Sequence, residues 1–172
     1  MDYGSPGIGS PHHLATERLA RDLSVKLNHV PYRGMAPAMN DLVSGTVEAA
    51  VLDMAAGAEV IRAGRVRPLA LLSPARLPAI PDVPTAAEAF GLPGFEAYAW
   101  QGLTAPARTP DDVSARLTAE LAAALADPAV QGRMREIGLD PLSGGPEEHR
   151  RLIASERAIY WPLIRELGLS LD

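Results

Sequence analysis

Between Tyr3 and Leu14 the chain reads Tyr-Gly-Ser-Pro-Gly-Ile-Gly-Ser-Pro-His-His-Leu, a composition suited to gripping an anion. Glycine lets the backbone approach a bound group closely. Ser10 followed by Pro11 makes a good helix N-cap and first helical residue. The first turn of such a helix offers N–H groups without intrahelical partners and a partial positive charge, a seat for a carboxylate or phosphate. Two other places carry comparable chemistry: the Tyr32-Arg33-Gly34-Met35 turn, and Asp53 with its neighbours. Together these three loops supply helix N-termini, a serine hydroxyl, two imidazoles, a phenol, a guanidinium and a carboxylate.

The surrounding pattern says how such loops would be held. Residues 12–25 have helical periodicity, with Leu14, Leu19 and Leu23 roughly on one face. Leu27 to Pro31 is a short strand stopped by proline, and Met35 to Val43 a helix closed by Ser44-Gly45. Val47 to Leu52 is apolar and short, as a buried parallel strand would be; Met54 to Ala63 returns to helix, and Val66 to Leu72 is the next strand. Strand alternating with helix predicts an α/β fold with a parallel sheet. In such sheets ligands bind beyond the carboxyl ends of the strands, where the three loops fall.

Farther along, prolines 74, 78, 81, 84 and 93 punctuate the chain, and Thr85-Ala86-Ala87-Glu88 is a capping box opening a short helix that ends near Gly91. Phe95 to Ala105 reads as an extended segment linking two lobes. Beyond Pro106 the pattern is nearly all helical. Thr109-Pro110-Asp111-Asp112 is a helix start, with Thr109 as cap, and Val113, Leu117, Leu121 and Leu125 follow at four-residue spacing. Asp127-Pro128 starts a further helix ending at Gly138, and Ser143 to Glu148 opens the last, in which Pro162 should kink or break the helix after Tyr160 or Trp161.

Composition bounds the function. The 172 residues, 47% hydrophobic, suffice for a core in one domain or two small lobes, and a net charge of −5 argues against a general nucleic-acid binder. Zero cysteines exclude disulfides and thiolate chemistry. No apolar run reaches membrane-spanning length, and no secretory leader opens the sequence. Catalytic signatures are absent. Gly7-Ile8-Gly9 lacks the third glycine of a dinucleotide turn, since position 12 is His12. Ser10, His13 and Asp53 can be drawn as a triad, but nothing supplies an oxyanion hole. Adjacent His12 and His13 project in different directions at a helix start, so no metal is expected. Plainer readings stand beside the binding ones: a solvated turn for Tyr32 and Arg33, helix capping for Asp53, and lobe packing for Trp100.

Several motifs, taken in order, carry a family resemblance. They are Gly4-Ser5-Pro6-Gly7-Ile8-Gly9-Ser10 with His13-Leu14, Val30-Pro31-Tyr32-Arg33-Gly34 with Ala36-Pro37-Ala38, and Asp41-Leu42-Val43-Ser44-Gly45 with Val47. Ala63-Gly64-Arg65-Val66-Arg67, Pro81-Asp82-Val83-Pro84-Thr85, Trp100 with Gly102-Leu103, and Asp127-Pro128-Ala129-Val130 continue the series. The chain resembles the substrate-binding receptors of tripartite tricarboxylate transporters, the TctC or Bug family. That resemblance implies a type II periplasmic-binding-protein fold whose two α/β lobes close on a small carboxylate or similar solute. It further implies delivery to membrane transporter subunits, with no cofactor, no metal, no reaction and no nucleic acid. The family's cleft loops carry over as Ser5, Gly7, Gly9, Ser10 and His13, then Tyr32, Arg33 and Gly34, then Asp53. Ser10 and His13 are expected near ligand, and Asp53 near an amine, hydroxyl or water.

Family members are close to twice this length and open with a leader and a first lobe segment. The resemblance therefore reads this chain as N-terminally truncated: residues 1–98 as a ligand-binding lobe, and 99–172 as the mostly helical return segment of the other. Periplasmic location follows from the family, without a signal peptide in this sequence. An uncovered Val113/Leu117/Leu121/Leu125 face would favour self-association. The alternative is a non-transport fragment that keeps one lobe or an interaction surface and binds little ligand.

Overall fold

A computed structural model describes residues 1–136 and 139–170. Three strands, β1 (Asp2–Ser5), β2 (Asn28–Pro31) and β3 (Ala49–Ala50), form one parallel sheet in the order β2-β1-β3. Tyr3 lies opposite His29 on one side and Ala49 on the other. Helices α1 (Pro11–Asp22), α2 (Met35–Ser44) and α3 (Met54–Arg62) each follow a strand. The sequence thus builds the expected alternation, with β1 central.

Close approach at Gly4 explains how the sheet packs. A side chain there would meet the Tyr32 ring and a Val47 methyl at 3.3 Å each, and Ala38 at 3.6 Å. Tyr3, Ala38 and Val47 are buried around it. A second cluster joins Ala15, Ala86, Phe95 and Ala97, with Leu19, Ala70, Leu72 and Leu92 packed against it. The capping box forms as read: Thr85 Oγ1 accepts from the Glu88 N–H (3.2 Å), Glu88 Oε2 accepts from the Thr85 N–H (2.7 Å), and α4 (Ala86–Phe90) ends at Gly91 in the left-handed region.

Some expectations are corrected. Val66 to Leu72 is not a strand; only Leu71 bridges, in parallel, to Thr85. Pro68 lacks the N–H that a ladder needs, and the backbone of Leu71 and Leu72 instead bonds Pro84, Ala86 and Ala97. Val47 to Leu52 narrows to the two residues of β3. On α1 the buried positions are His13, Ala15, Thr16 and Ala20, so the inward face is rotated from the expected Leu14/Leu19/Leu23 stripe. His13 meets Tyr3 and His29 of the sheet, while Ala15 joins Ala86, Phe95 and Ala97.

The chain divides into two compact units. The first is Met1–Ala99 with the segment from Leu163; the second is Trp100–Pro162. In the second, α5 (Asp111–Ala126) starts one residue past the expected cap: Pro110 is the N-cap, and no side chain bonds there. Asp111 and Asp112 still supply the acidic first turn. Asp127 Oδ1 accepts from the Ala129 N–H (2.7 Å) to open α6 (Pro128–Glu136), whose expected end at Gly138 lies outside the described residues. His149 packs edge-on to Trp100, with ring centroids 5.1 Å apart, and fills the space a side chain at Gly102 would need. The last helix, α7 (Pro146–Glu166), runs through Pro162 rather than breaking before it. Proline forfeits one N–H there, and Leu163 immediately after it is buried. Among the described residues no helix is long and apolar enough to cross a membrane.

Candidate functional site

Because the three strands are parallel, the loops leaving β1, β2 and β3 emerge at the same edge of the sheet. Short bonds fasten them together. The Tyr32 N–H donates to Ser5 O (2.9 Å), and the Gly34 N–H donates to Pro6 O (3.1 Å), so Arg33 sits between two anchors on the first loop. His12 Nε2 lies 3.2 Å from Asp53 Oδ2, tying the start of α1 to the start of α3. The Tyr32 hydroxyl donates to Asp41 Oδ2 (2.6 Å), which pushes the phenol up to about 12 and closes its loop onto α2.

The first loop is an elbow that satisfies much of its own backbone. Gly7 and Gly9 adopt φ of 148° and 73°, which other residues rarely reach. The Gly7 N–H donates to Ser5 Oγ (3.2 Å), the Gly9 N–H to His13 Nδ1 (3.0 Å) and the Ser10 N–H to Gly7 O (3.3 Å). Ser10 caps α1 as its sequence predicts, accepting from the His13 N–H at 3.2 Å. The N–H groups of Ile8 and His12 make no hydrogen bond among the described residues. The starts of α2 and α3 carry no side-chain cap: Gly34 has none to offer, and the Asp53 carboxylate turns to His12 instead of its own helix. Main-chain donors from three helix starts therefore share one edge, with the exposed Arg33 beside them.

Beneath the elbow lies a stack of rings that the sequence reading missed. His13, 3% exposed, stacks on His29 with centroids 3.9 Å apart, and His29 stacks on Tyr3 at 5.0 Å. A backbone N–H can only donate, so Gly9 fixes His13 Nδ1 as the acceptor and places that ring's proton on Nε2. Burial lowers the His13 pKa against an opposing pull from Glu17. Burial, and then His13 itself, lower His29 to about 4. The Tyr3 hydroxyl donates to Glu17 Oε1 (2.5 Å), and its own ionisation is pushed far up by burial and by that carboxylate. His29 Nε2 meets Ser5 Oγ at 2.7 Å. The only hint in the sequence was the parallel register that sets His29 opposite Tyr3, and that pairing is not a local signal.

The drawn triad does not assemble. Ser10 Oγ serves the His13 backbone, His13 Nδ1 serves Gly9, and Asp53 serves His12. The serine–histidine contact that does form involves Ser5, which is fully buried. Among the described residues no cluster of three or more His, Asp or Glu could hold a metal.

Comparison with known proteins gives this arrangement a context. The sequence profile of the tripartite tricarboxylate transporter family receptor matches residues 1–169. A UPF0065 protein in the tcbD-tcbE intergenic region of Pseudomonas sp. strain P51 is 42% identical over 172 residues, covering 100% of this chain and 51% of that protein. R. palustris Rpa4515, solved with adipate, is 34% identical with a TM-score of 0.87, over 99% of this chain and 56% of its own. The periplasmic binding protein BugD superposes with a TM-score of 0.83 at 34% identity, over 99% and 57%. MatC of Rhodopseudomonas palustris, with bound malate, gives 0.78 at 34% identity, over 93% and 55%. The α/β fold is therefore that of the periplasmic binding proteins, and the chain spans about half the length of these relatives.

Proposed function

The chain belongs to the tripartite tricarboxylate transporter family of receptors, whose members are binding proteins rather than enzymes, and from that premise we propose that it captures a small organic carboxylate. Dicarboxylates are the first candidates, since two solved relatives hold adipate and malate. One carboxylate would sit against the main-chain donors of the elbow and the neighbouring helix starts, where fixed N–H dipoles hold an anion without burying a second charge. Arg33, exposed on the neighbouring turn, would meet the other. His13, enclosed beneath the loop, takes a supporting role, while His12 and Asp53 form the rim toward α3. The family supports a periplasmic setting and handover to membrane transporter subunits. Division of the chain after Ala99 supports reading residues 1–98 as a ligand-binding lobe, while the end of the chain from Leu163 groups with that lobe and not with the return segment. The observation that carries the reading is the convergence of three helix starts on one sheet edge, two of them uncapped by side chains.

Amide spectra of the chain titrated with adipate test it. Shifts should concentrate at Gly7 to His13 and at Arg33 to Met35. Unmoved amides there at tens of millimolar ligand, or shifts centred elsewhere, would overturn the proposal. A companion reading, self-association through α5, is favoured by Val113 and Leu117, which are 42% and 55% exposed. Sedimentation velocity independent of concentration would end it.

A further inference from the structure

We propose that His13 is a positioning residue for the ligand loop: its neutral ring, seated on His29, clamps the elbow through the Gly9 N–H, and protonation releases that clamp. The inference rests on the binding role just proposed for the elbow, and it adds a proton-dependent control of that site.

His13 has a single ring nitrogen free of hydrogen, Nδ1, and it holds the Gly9 N–H at 3.0 Å. A second proton can enter the ring only at that nitrogen. Two N–H groups would then face each other at hydrogen-bond distance, and one must move. The ring itself has little room, being 3% exposed and stacked at 3.9 Å on His29 with an interplanar angle of 13°. The elbow is the more movable partner. Gly9 is held at φ 73° and Ile8 beside it is exposed, so displacing Gly9 redirects the N–H groups from Ile8 to Ser10. His29 responds differently. Protonated, it simply donates from Nε2 to Ser5 Oγ (2.7 Å), whose hydroxyl turns to Gly7 O (3.1 Å). The charge that protonation adds to His13 faces His29 across the stack and opposes protonation of that second ring.

The groups facing the pair are few. From β1 comes Tyr3, whose hydroxyl is committed to Glu17; from α1 come Glu17, which favours the charged ring, and His12, turned away to Asp53; from β2 comes His29. β3 contributes only Ala49 and Ala50. The burial of His13 and the charge of Glu17 thus act in opposite directions on a ring whose protonation is felt directly by the elbow.

Two measurements decide the matter. In the ligand-free chain, the Gly9 amide resonance should follow the same titration as the His13 ring from pH 7.5 to 4.5. A Gly9 amide that stays fixed while His13 titrates overturns the proposal whether or not any solute binds. Adipate affinity should fall at least tenfold between pH 7.5 and 5 in the wild type. His13→Asn places a carbonyl oxygen near the Nδ1 position, so it keeps an acceptor that cannot titrate. Whatever its affinity at pH 7.5, this variant should lose at least fivefold less affinity than the wild type between pH 7.5 and 5. Adipate's own protonation and the His12–Asp53 pair are common to both proteins, so parallel pH profiles would overturn the proposal. Failure of adipate to bind at any pH would sink the functional reading instead, and the Gly9 titration would still decide the clamp.

Discussion

The two compact units of this chain use similar residues to different ends. In the first, Tyr3, Ala38, Ala86 and Leu163 are at most 1% exposed, and polar Ser5, His13, Thr16 and Thr85 are enclosed with them. In the second, no described residue is buried, although α5 is rich in alanine and leucine, and Val113, Leu117, Val130, Leu142 and Ile153 are all exposed. Apolar content alone does not make a core. In the first unit a sheet gives small helix residues a flat surface to meet, whereas a helix of alanine and leucine needs a matching face before its apolar stripe stabilises anything.

The sharpest way to break this contrast is to remove the ring at the centre of the first unit. Tyr3→Ala deletes a fully buried side chain that stacks on His29 and anchors Glu17, and should cost about 3–5 kcal/mol, enough to unfold much of the unit. Urea unfolding followed by far-ultraviolet circular dichroism measures it, and a cost under about 1 kcal/mol would mean the ring stack is incidental.

Acid should separate the units next. His29 has a folded pKa of about 4, below the 6.5 of an unfolded histidine, and His13 is lowered too. The unfolded chain therefore takes up these protons first. Their contribution is fully present above pH 6.5 and is lost as pH falls toward 4. Discounting for the solvent that reaches the half-buried His29 ring, the loss should be about 1–2 kcal/mol by pH 4.5. The window above pH 4.5 excludes Glu88 and Glu148, whose lowered carboxyls titrate only below it. His29→Gln should flatten the stability profile between pH 6.5 and 4.5; an unchanged slope would assign the acid sensitivity elsewhere.

The smallest effect is expected on the exposed stripe. Leu117→Ala should shift stability by less than about 0.5 kcal/mol, because its side chain is already 55% exposed. A larger loss, read by the same urea titration, would reveal a covering partner in solution.

The local signals were legible, and the long-range ones were not. The Thr85–Glu88 box, the Ser10 cap and the Gly45 helix end each lie within a few residues of what they control, and each forms as its sequence suggests. The strand after Gly64 failed because Pro68 and the pull of Pro84, Ala86 and Ala97 on Leu71 and Leu72 are decided by tertiary neighbours. The site divides the same way. Its three loops could be found from strand–helix alternation, but the His12–Asp53 tie spans 41 residues, and the His13–His29 stack depends on which strand lies beside β1. Asp53 shows the limit most plainly. Its position is that of a cap, yet its carboxylate answers a histidine from another helix.

The uncapped starts of α2 and α3 carry an evolutionary corollary. Donors that belong to the peptide bond are shared by all twenty amino acids except proline, so exchanging side chains around such helix ends leaves them in place. Under the binding role proposed above, a lineage built this way would drift in sequence, and retune its solute through residues like Arg33, while the proposed anion-holding donors stay in place.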